Sequence, residues 1–341
     1  MRTLIPNYRS IPGQHCGTTA MRNLLYHYCG LDLTEEIVFG LGSGIDFMFI
    51  KIPGLEPAAM IFGRSITMEV DVAQALGIDY RELPETDNHK AWMDVRQEII
   101  EGRPTMLSGD IFFLDYRSFK VRFPGHRFVL VGFDDEKEIA YVADRIVPEP
   151  QACSYKALAT SRNPSTGITT YNLWGKFFDS RVQNTVEQAA ASALTKTANR
   201  MTGRDLSQKD LLKSVTDKNA VIITGISGLS EFAKDLPNWH ERPDAASIAS
   251  YASQAIEKFG TGGGNFRKMF AGFMNWAHDI IPDKVAPILV TLAYQSADLW
   301  TELAIILEKA SFEPQSIRVW KDASEKAGHI HDIESALFEK L

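Results

Sequence analysis

The apolar patterning changes character near residue 150, and that change limits the folds open to this chain. Before it, helical and strand patterns alternate. Behind Cys16, the apolar residues Met21, Leu24, Leu25 and Tyr28 recur at helical spacing, and Gly30 reads as a C-cap. Thr34-Glu35-Glu36 opens a second helix with acids at its positive end. The run Gly40-Leu41-Gly42-Ser43-Gly44 predicts a tight loop before an aromatic stretch from Phe47 to Phe49. The pattern then predicts a helix over 70–76 ended by Gly77, a strand over 78–83, a helix over 91–100 stopping at Gly102, and a strand over 105–114. Strands over 128–133 and 139–143 flank the polar turn Asp134-Asp135-Glu136.

Past Pro148-Glu149-Pro150 and the polar stretch at Asn163-Pro164-Ser165, strand signals are sparse. Helices are predicted over 186–201, 286–309 and 322–338. Ile248, Tyr251, Ala252, Ala255, Ile256 and Phe259 form one apolar stripe, and Phe266, Met269, Phe270, Phe273 and Ala277 another. Such stripes serve either an intramolecular core or a homo-oligomer. The expectation is an α+β domain with an antiparallel sheet over 1–150, followed by a mostly α-helical domain over 151–341. With 45% apolar residues a sizeable core is available, and a net charge of −7 argues against nucleic acid as the main partner. No apolar run reaches the length of a membrane span, and the first ten residues lack the apolar core of a signal peptide. Cys16, Cys29 and Cys153 form no disulfide framework, so a reducing, cytoplasmic setting is expected.

Cys16 sits in Gly13-Gln14-His15-Cys16-Gly17-Thr18-Thr19-Ala20, where an irregular stretch turns into a helix. The unpaired N–H groups and positive dipole of a helix start favour a thiolate. A cysteine nucleophile also needs a base and a group that orients the base. His126 opens one strand of the predicted hairpin and Asp144 closes the next. A three-residue loop would set Phe133 opposite Lys137, and His126 then falls directly opposite Asp144 on the same face. A register one residue different would put Arg145 there instead. At the ends of an apolar hairpin, both side chains are expected to face a cleft or solvent. Each residue alone has a plain structural use: a small buried thiol, a strand-edge histidine, an aspartate capping a turn. Their order and placement together carry the reading of Cys16, His126 and Asp144 as a catalytic triad.

That order and placement resemble the papain-like fold, including double-glycine leader peptidases. Residues 10–146 more closely resemble the N-terminal domain of the butirosin biosynthesis protein H (BtrH) acyltransferase family. The matching stretches are His15-Cys16-Gly17-Thr18-Thr19-Ala20-Met21-Arg22-Asn23, Phe39 to Gly44, Asp110 to Tyr116, and His126 through Asp144. The second half resembles the helical domain that often follows, in Gly260 to Arg267 and Leu299 to Ala304. The resemblance implies an acyl group carried as a phosphopantetheine thioester on an acyl carrier protein, taken by Cys16 and passed to a small amine in specialised-metabolite (antibiotic) biosynthesis. His126 would be the base and Asp144 its orienter. The Cys16 N–H is expected as one oxyanion donor. Papain-like enzymes place a glutamine six residues before the cysteine; Ser10 stands there, which leaves Gln14 as the candidate second donor. Asp110, receiving an ammonium group, and Tyr116 are the candidate substrate-binding residues. A hydrolase with the same triad, and a non-catalytic binding protein on the same fold, are the alternatives.

No cofactor is expected. No metal is expected either, because His329 and His331, two apart on a helix, diverge. Gly260-Thr261-Gly262-Gly263-Gly264 lacks the ending of a phosphate-binding P-loop, so it predicts a helix end, a turn and a helix start, with a phosphopantetheine phosphate as the other use. The basic stretch Lys196 to Arg204 predicts a solvated helix end or a docking patch for an acidic carrier protein. Cys29, at a helix C-terminus, is expected to be structural, and Cys153 to lie exposed in a linker.

Overall fold

The structure, a computed structural model, describes residues 1–118, 120, 122–215 and 219–341. The chain opens with β1 (Arg2–Leu4), α1 (Cys16–Cys29) and α2 (Glu35–Leu41). β2 (Ile45–Lys51), β3 (Ala59–Arg64), α3 (Met68–Leu76), β4 (Asp79–Leu83) and α4 (Asn88–Ile100) follow. Next come β5 (Thr105–Gly109), a 3-10 turn (Ile111–Phe113), β6 (His126–Asp134), β7 (Ile139–Ala143), β8 (Gln151–Ser154), α5 (Tyr155–Arg162) and β9 (Trp174–Asp179). The remainder is α6 (Val186–Met201), α7 (Ser207–Val215), β10 (Val221–Thr224), α8 (Gly225–Asp235), a 3-10 turn (Leu236–Glu241), α9 (Ala245–Glu257), α10 (Arg267–Ile280), α11 (Pro287–Phe312) and α12 (Ile317–Phe338).

Two compact units emerge. One comprises Met1–Val38 and Gly77–Gln183, the other Phe39–Leu76 and Asn184–Leu341. The division expected at residue 150 does not coincide with them, and strand pairing is the reason. β8 and β9, beyond it, complete the sheet of the first unit, whereas β2, before it, pairs with β10 of the second.

In the first unit an antiparallel sheet runs β4-β9-β5-β6-β7-β8, with β1 added along β6. β6 is buried over its whole length, and α1 packs against it with Met21, Leu24 and Leu25 fully covered. Burying each such side chain contributes about 2 kcal/mol. α1 ends as expected, at Gly30 in the left-handed region (φ 68°). The strand expected over 105–114 stops at Gly109, because the Asp110 carboxylate captures the backbone N–H groups of Phe112 and Phe123 and turns the chain. Cys153, expected in an exposed linker, is instead fully buried on β8, paired with Ala140 of β7.

The hairpin of β6 and β7 departs from the expected register in an instructive way. Its closing pair is Asp134 with Ile139, so the loop holds four residues, and Phe133 faces Ala140 rather than Lys137. A three-residue offset alone would send the side chains to the wrong face. A bulge between Leu130 and Gly132 removes one residue of it, after which Leu130 faces Val142 and Val129 faces Ala143. The net offset is even. His126 and Asp144 therefore share a face, one pair apart along the diagonal rather than directly opposed.

The second unit sets the sheet β10-β2-β3 among helices, with Trp239, Trp300 and Trp320 buried in its core. The two apolar stripes serve this core: Ile248, Ala252, Ala255, Ile256, Met269, Phe270, Phe273 and Ala277 are all buried, and Phe259 is exposed. Five consecutive residues, Gly262 to Phe266, have φ between 52° and 92°, a left-handed path that glycine makes accessible. Within it the N–H groups of Gly263, Gly264 and Asn265 donate to Thr261 Oγ1, Glu257 Oε1 and the Ile256 carbonyl. With these amides bonded and a carboxylate beside them, the loop does not form a phosphate cradle. It delivers Arg267 into the core, onto Glu334. The basic stretch at 196–204 ends in exposed Gly203 and Arg204, but Arg200, 2% exposed, is bonded to Asp71, Thr67, Ser65 and the Ser43 carbonyl, and Lys196 also reaches Asp71. Buried Arg200 does not serve as a docking patch. Among the described residues, no helix is long and apolar enough to cross a membrane.

Candidate active site

Cys16 is the first residue of α1, and the segment before it is fastened on several sides. Asn23 on the next turn of α1 accepts from the Ile11 N–H, 3.2 Å, and Arg22 donates to the Ile11 and Pro12 carbonyls. The Gly13 N–H donates to the Arg145 carbonyl, 2.7 Å, and Arg145 Nη1 donates to the Gln14 carbonyl, 2.9 Å. The chain entering α1 is thus tied to the residue following Asp144. His15 caps α1: it is extended (φ −109°, ψ 130°) and its Nδ1 accepts from the Thr18 N–H, 3.2 Å.

His126 begins β6 and pairs with Gly109 of β5. Its ring stacks on Phe128, centroids 5.8 Å apart. Nε2 meets Asp144 Oδ2 at 3.1 Å, and the Cys16 side chain hydrogen-bonds the same ring. The Asp144 carboxylate is fully engaged: Oδ2 also accepts from Tyr116 Oη at 2.9 Å, and Oδ1 from the Arg145 N–H at 2.7 Å. Exposures are 8% for Cys16, 2% for His126 and 3% for Asp144. The expectation that the histidine and aspartate face a cleft or solvent fails; both are withdrawn from water.

Burial alone would push the His126 imidazole toward its neutral form. The charge and hydrogen bond of Asp144, with Cys16 adding to them, outweigh it and raise the pKa to about 9. Burial likewise opposes ionisation of Asp144, and the His126 charge and hydrogen bond, the Arg145 N–H and the Tyr116 hydroxyl bring it down to about 2. The pair is therefore an imidazolium and a carboxylate in the neutral range. A positively charged ring beside a thiol favours the thiolate. The other two thiols are different: burial raises Cys29 to about 11 and Cys153 to about 12, the latter helped by Asp115.

Three expected substrate-binding residues stand as follows. Tyr116, partly exposed, donates its hydroxyl to Asp144. Asp110, 1% exposed, accepts from Arg122 and two backbone N–H groups, so its carboxylate is spent on the turn rather than open to an ammonium group. Gln14 is exposed, with its backbone held by Glu35 and Arg145. Sequence reasoning missed Glu35, which it took only as an acid opening α2. Glu35 reaches back to the turn before Cys16, and the polar pair Thr18-Thr19 on an otherwise apolar helix start was the available signal.

A buried thiol, imidazole and carboxylate joined in that order, on a helix start and an antiparallel hairpin, define a papain-like domain. Residues 15–145 match the family model described as butirosin biosynthesis protein H, N-terminal. Residues 156–341 match the model described as domain of unknown function (DUF4872). This second match covers more than half of the chain, which belongs to that family and joins it to a butirosin biosynthesis protein H-like N-terminal domain. A search of curated proteins finds no match.

Proposed function

We propose that the protein is a cysteine acyltransferase. In this reading it moves an acyl group from a phosphopantetheine thioester, presented by an acyl carrier protein, to a small amine in specialised-metabolite biosynthesis. The observation that carries the reading is the continuous hydrogen-bonded chain Cys16–His126–Asp144. The family name of residues 15–145 adds the biosynthetic context.

The resting pair is Cys16 thiolate and His126 imidazolium. The sulfur attacks the thioester carbonyl, and the tetrahedral intermediate expels the carrier thiolate, which takes the proton from His126. An amine then attacks acyl-Cys16, His126 accepts the amine proton, and Cys16 leaves as thiolate. Asp144 holds the ring through Nε2 and stabilises its charge when protonated. The low exposure of all three groups supports transfer over hydrolysis, because water is the competing acceptor. The three free thiols fit a reducing cytoplasm.

The test is amide formation from a carrier-bound acyl thioester and an amine, followed by mass spectrometry. Wild type is expected to form amide and Cys16→Ala to form none above background. Full transfer in Cys16→Ala contradicts the mechanism, and free acid as the dominant product identifies a hydrolase.

A further inference from the structure

The carboxylate of Glu35, 8% exposed at the start of α2, gathers four donors from the turn that carries the nucleophile. Oε2 accepts from the Gln14 N–H at 2.7 Å. Oε1 accepts from the His15 N–H at 3.2 Å and from the hydroxyls of Thr18 and Thr19, each at 2.8 Å. These residues bracket Cys16 on both sides. Space for the carboxylate depends on Gly13, where a Cβ would lie 2.3 Å from Thr19 Oγ1 and 2.5 Å from Glu35 Cδ. A buried carboxylate is costly unless its lone pairs are filled, and here local dipoles fill them.

We propose that Glu35 is the positioning residue of the nucleophile: its carboxylate fixes the turn at 14–19 so that Cys16 Sγ meets the His126 ring. Two consequences distinguish this from general packing. With the N–H groups of Gln14 and His15 committed to Glu35, and that of Thr18 to His15, these amides are removed from the set able to face an acyl oxygen. The Cys16–His126 contact also depends on a carboxylate that touches neither residue's side chain in the hydrogen bonds above. Glu35→Gln keeps the shape, and the Thr18 and Thr19 hydroxyls can turn to accept, but whichever oxygen becomes NH2 then faces a backbone N–H, that of Gln14 or of His15, so the turn must open at that point.

The proposal rests on Cys16 as the nucleophile, and alkylation reads the thiol without any acyl donor, so its outcome is separate from that of the transfer reaction. The experiment follows iodoacetamide labelling of the Cys16 peptide against pH by mass spectrometry, alongside thermal unfolding. In folded Glu35→Gln the midpoint of labelling is expected to rise by about one pH unit, with the rate at pH 6 falling about tenfold, because the thiol loses its imidazolium partner. Should Glu35→Gln fail to fold, the double variant Thr18→Val, Thr19→Val, which keeps the carboxylate but removes two donors, is expected to shift the midpoint the same way by a smaller amount. An unchanged labelling profile in a folded variant, with only the melting temperature lowered, overturns the proposal in favour of a purely structural role. Loss of the fold in both overturns it as well.

Discussion

His126 and Asp144 in one unit, and Arg267 and Glu334 in the other, are ion pairs withdrawn from solvent, yet they are built for different ends. Arg267 gives Nε and Nη2 to Glu334, at 2.8 and 2.9 Å, and Nη1 to the carbonyls of Asp46, Gly63 and Asn265. Glu334 also accepts from Ser296 and from Trp300 Nε1. Burial opposes its charge, but Arg267 and these donors hold its pKa below the usual carboxylate range. Each guanidinium nitrogen and each carboxylate oxygen has a partner, and the guanidinium does not release a proton at any working pH. In the other pair the carboxylate is saturated but the cation is an imidazole that also hydrogen-bonds the Cys16 side chain. One pair locks helices together; the other contains an imidazole that can hold or release a proton beside a thiol.

The largest expected effect separates the two at once. Cys16→Ala should lower acyl transfer by about 10⁴-fold or more while leaving the denaturation midpoint nearly in place. Asp144→Asn should cost about 10³-fold in kcat, because the amide cannot stabilise the imidazolium. Glu334→Gln should do the reverse. It leaves a buried guanidinium without a charge partner, so stability should fall by about 3 kcal/mol or more in urea unfolding, and the labelling rate of Cys16 in the folded protein should not change. If Glu334→Gln altered that labelling and not stability, the contrast drawn between the pairs would fail.

Smaller effects sharpen the comparison. Tyr116→Phe removes one of three donors to Asp144 and should lower kcat about two- to tenfold, consistent with about 0.5–1.5 kcal/mol for one hydrogen bond. It should also make Asp144 a weaker acid, read by NMR titration of the carboxyl carbon. The pH response has a defined sign. His126 is raised from 6.5 to about 9, so the stability it contributes is complete below about 6.5 and lost as pH rises through 9. Asp144 is lowered from 3.8 to about 2, so its contribution is complete above about 4 and lost as pH falls through 2. Urea midpoints of wild type against Asp144→Asn should diverge between these limits and converge outside them. The Arg267–Glu334 pair adds no loss of its own at the alkaline end.

Much of this was legible in the sequence where the information is local. The start of α1 at Cys16, its Gly30 cap, and α2, α3, β4 and α4 follow from apolar spacing and glycine placement, whereas β1 and β3 are not predicted and the aromatic stretch at Phe47 to Phe49 is not read as the strand β2. The family resemblance and the α+β domain followed by helices also stand on residues close together in the chain. Non-local information was what the sequence withheld. The bulge near Val131 that keeps His126 and Asp144 on one face leaves no compositional mark. The partnership of β2 with β10, the burial of Arg200 on Asp71, and the use of Gly262 to Phe266 to aim Arg267 all depend on residues far apart in the chain. For the same reason Tyr116, Asp110 and Glu35 received roles from their neighbours in sequence, when the bonds with Asp144, with Arg122 and Phe123, and with the turn at 14–19 that fix them come from further away in the chain.

The most direct measurement is the intact mass of the protein after brief exposure to a carrier-bound acyl thioester, with and without an amine. The account predicts one added acyl group, located on Cys16 by peptide mapping, absent in Cys16→Ala, and discharged faster by the amine than by water. No adduct on Cys16, or an adduct that forms equally in Cys16→Ala, would contradict it.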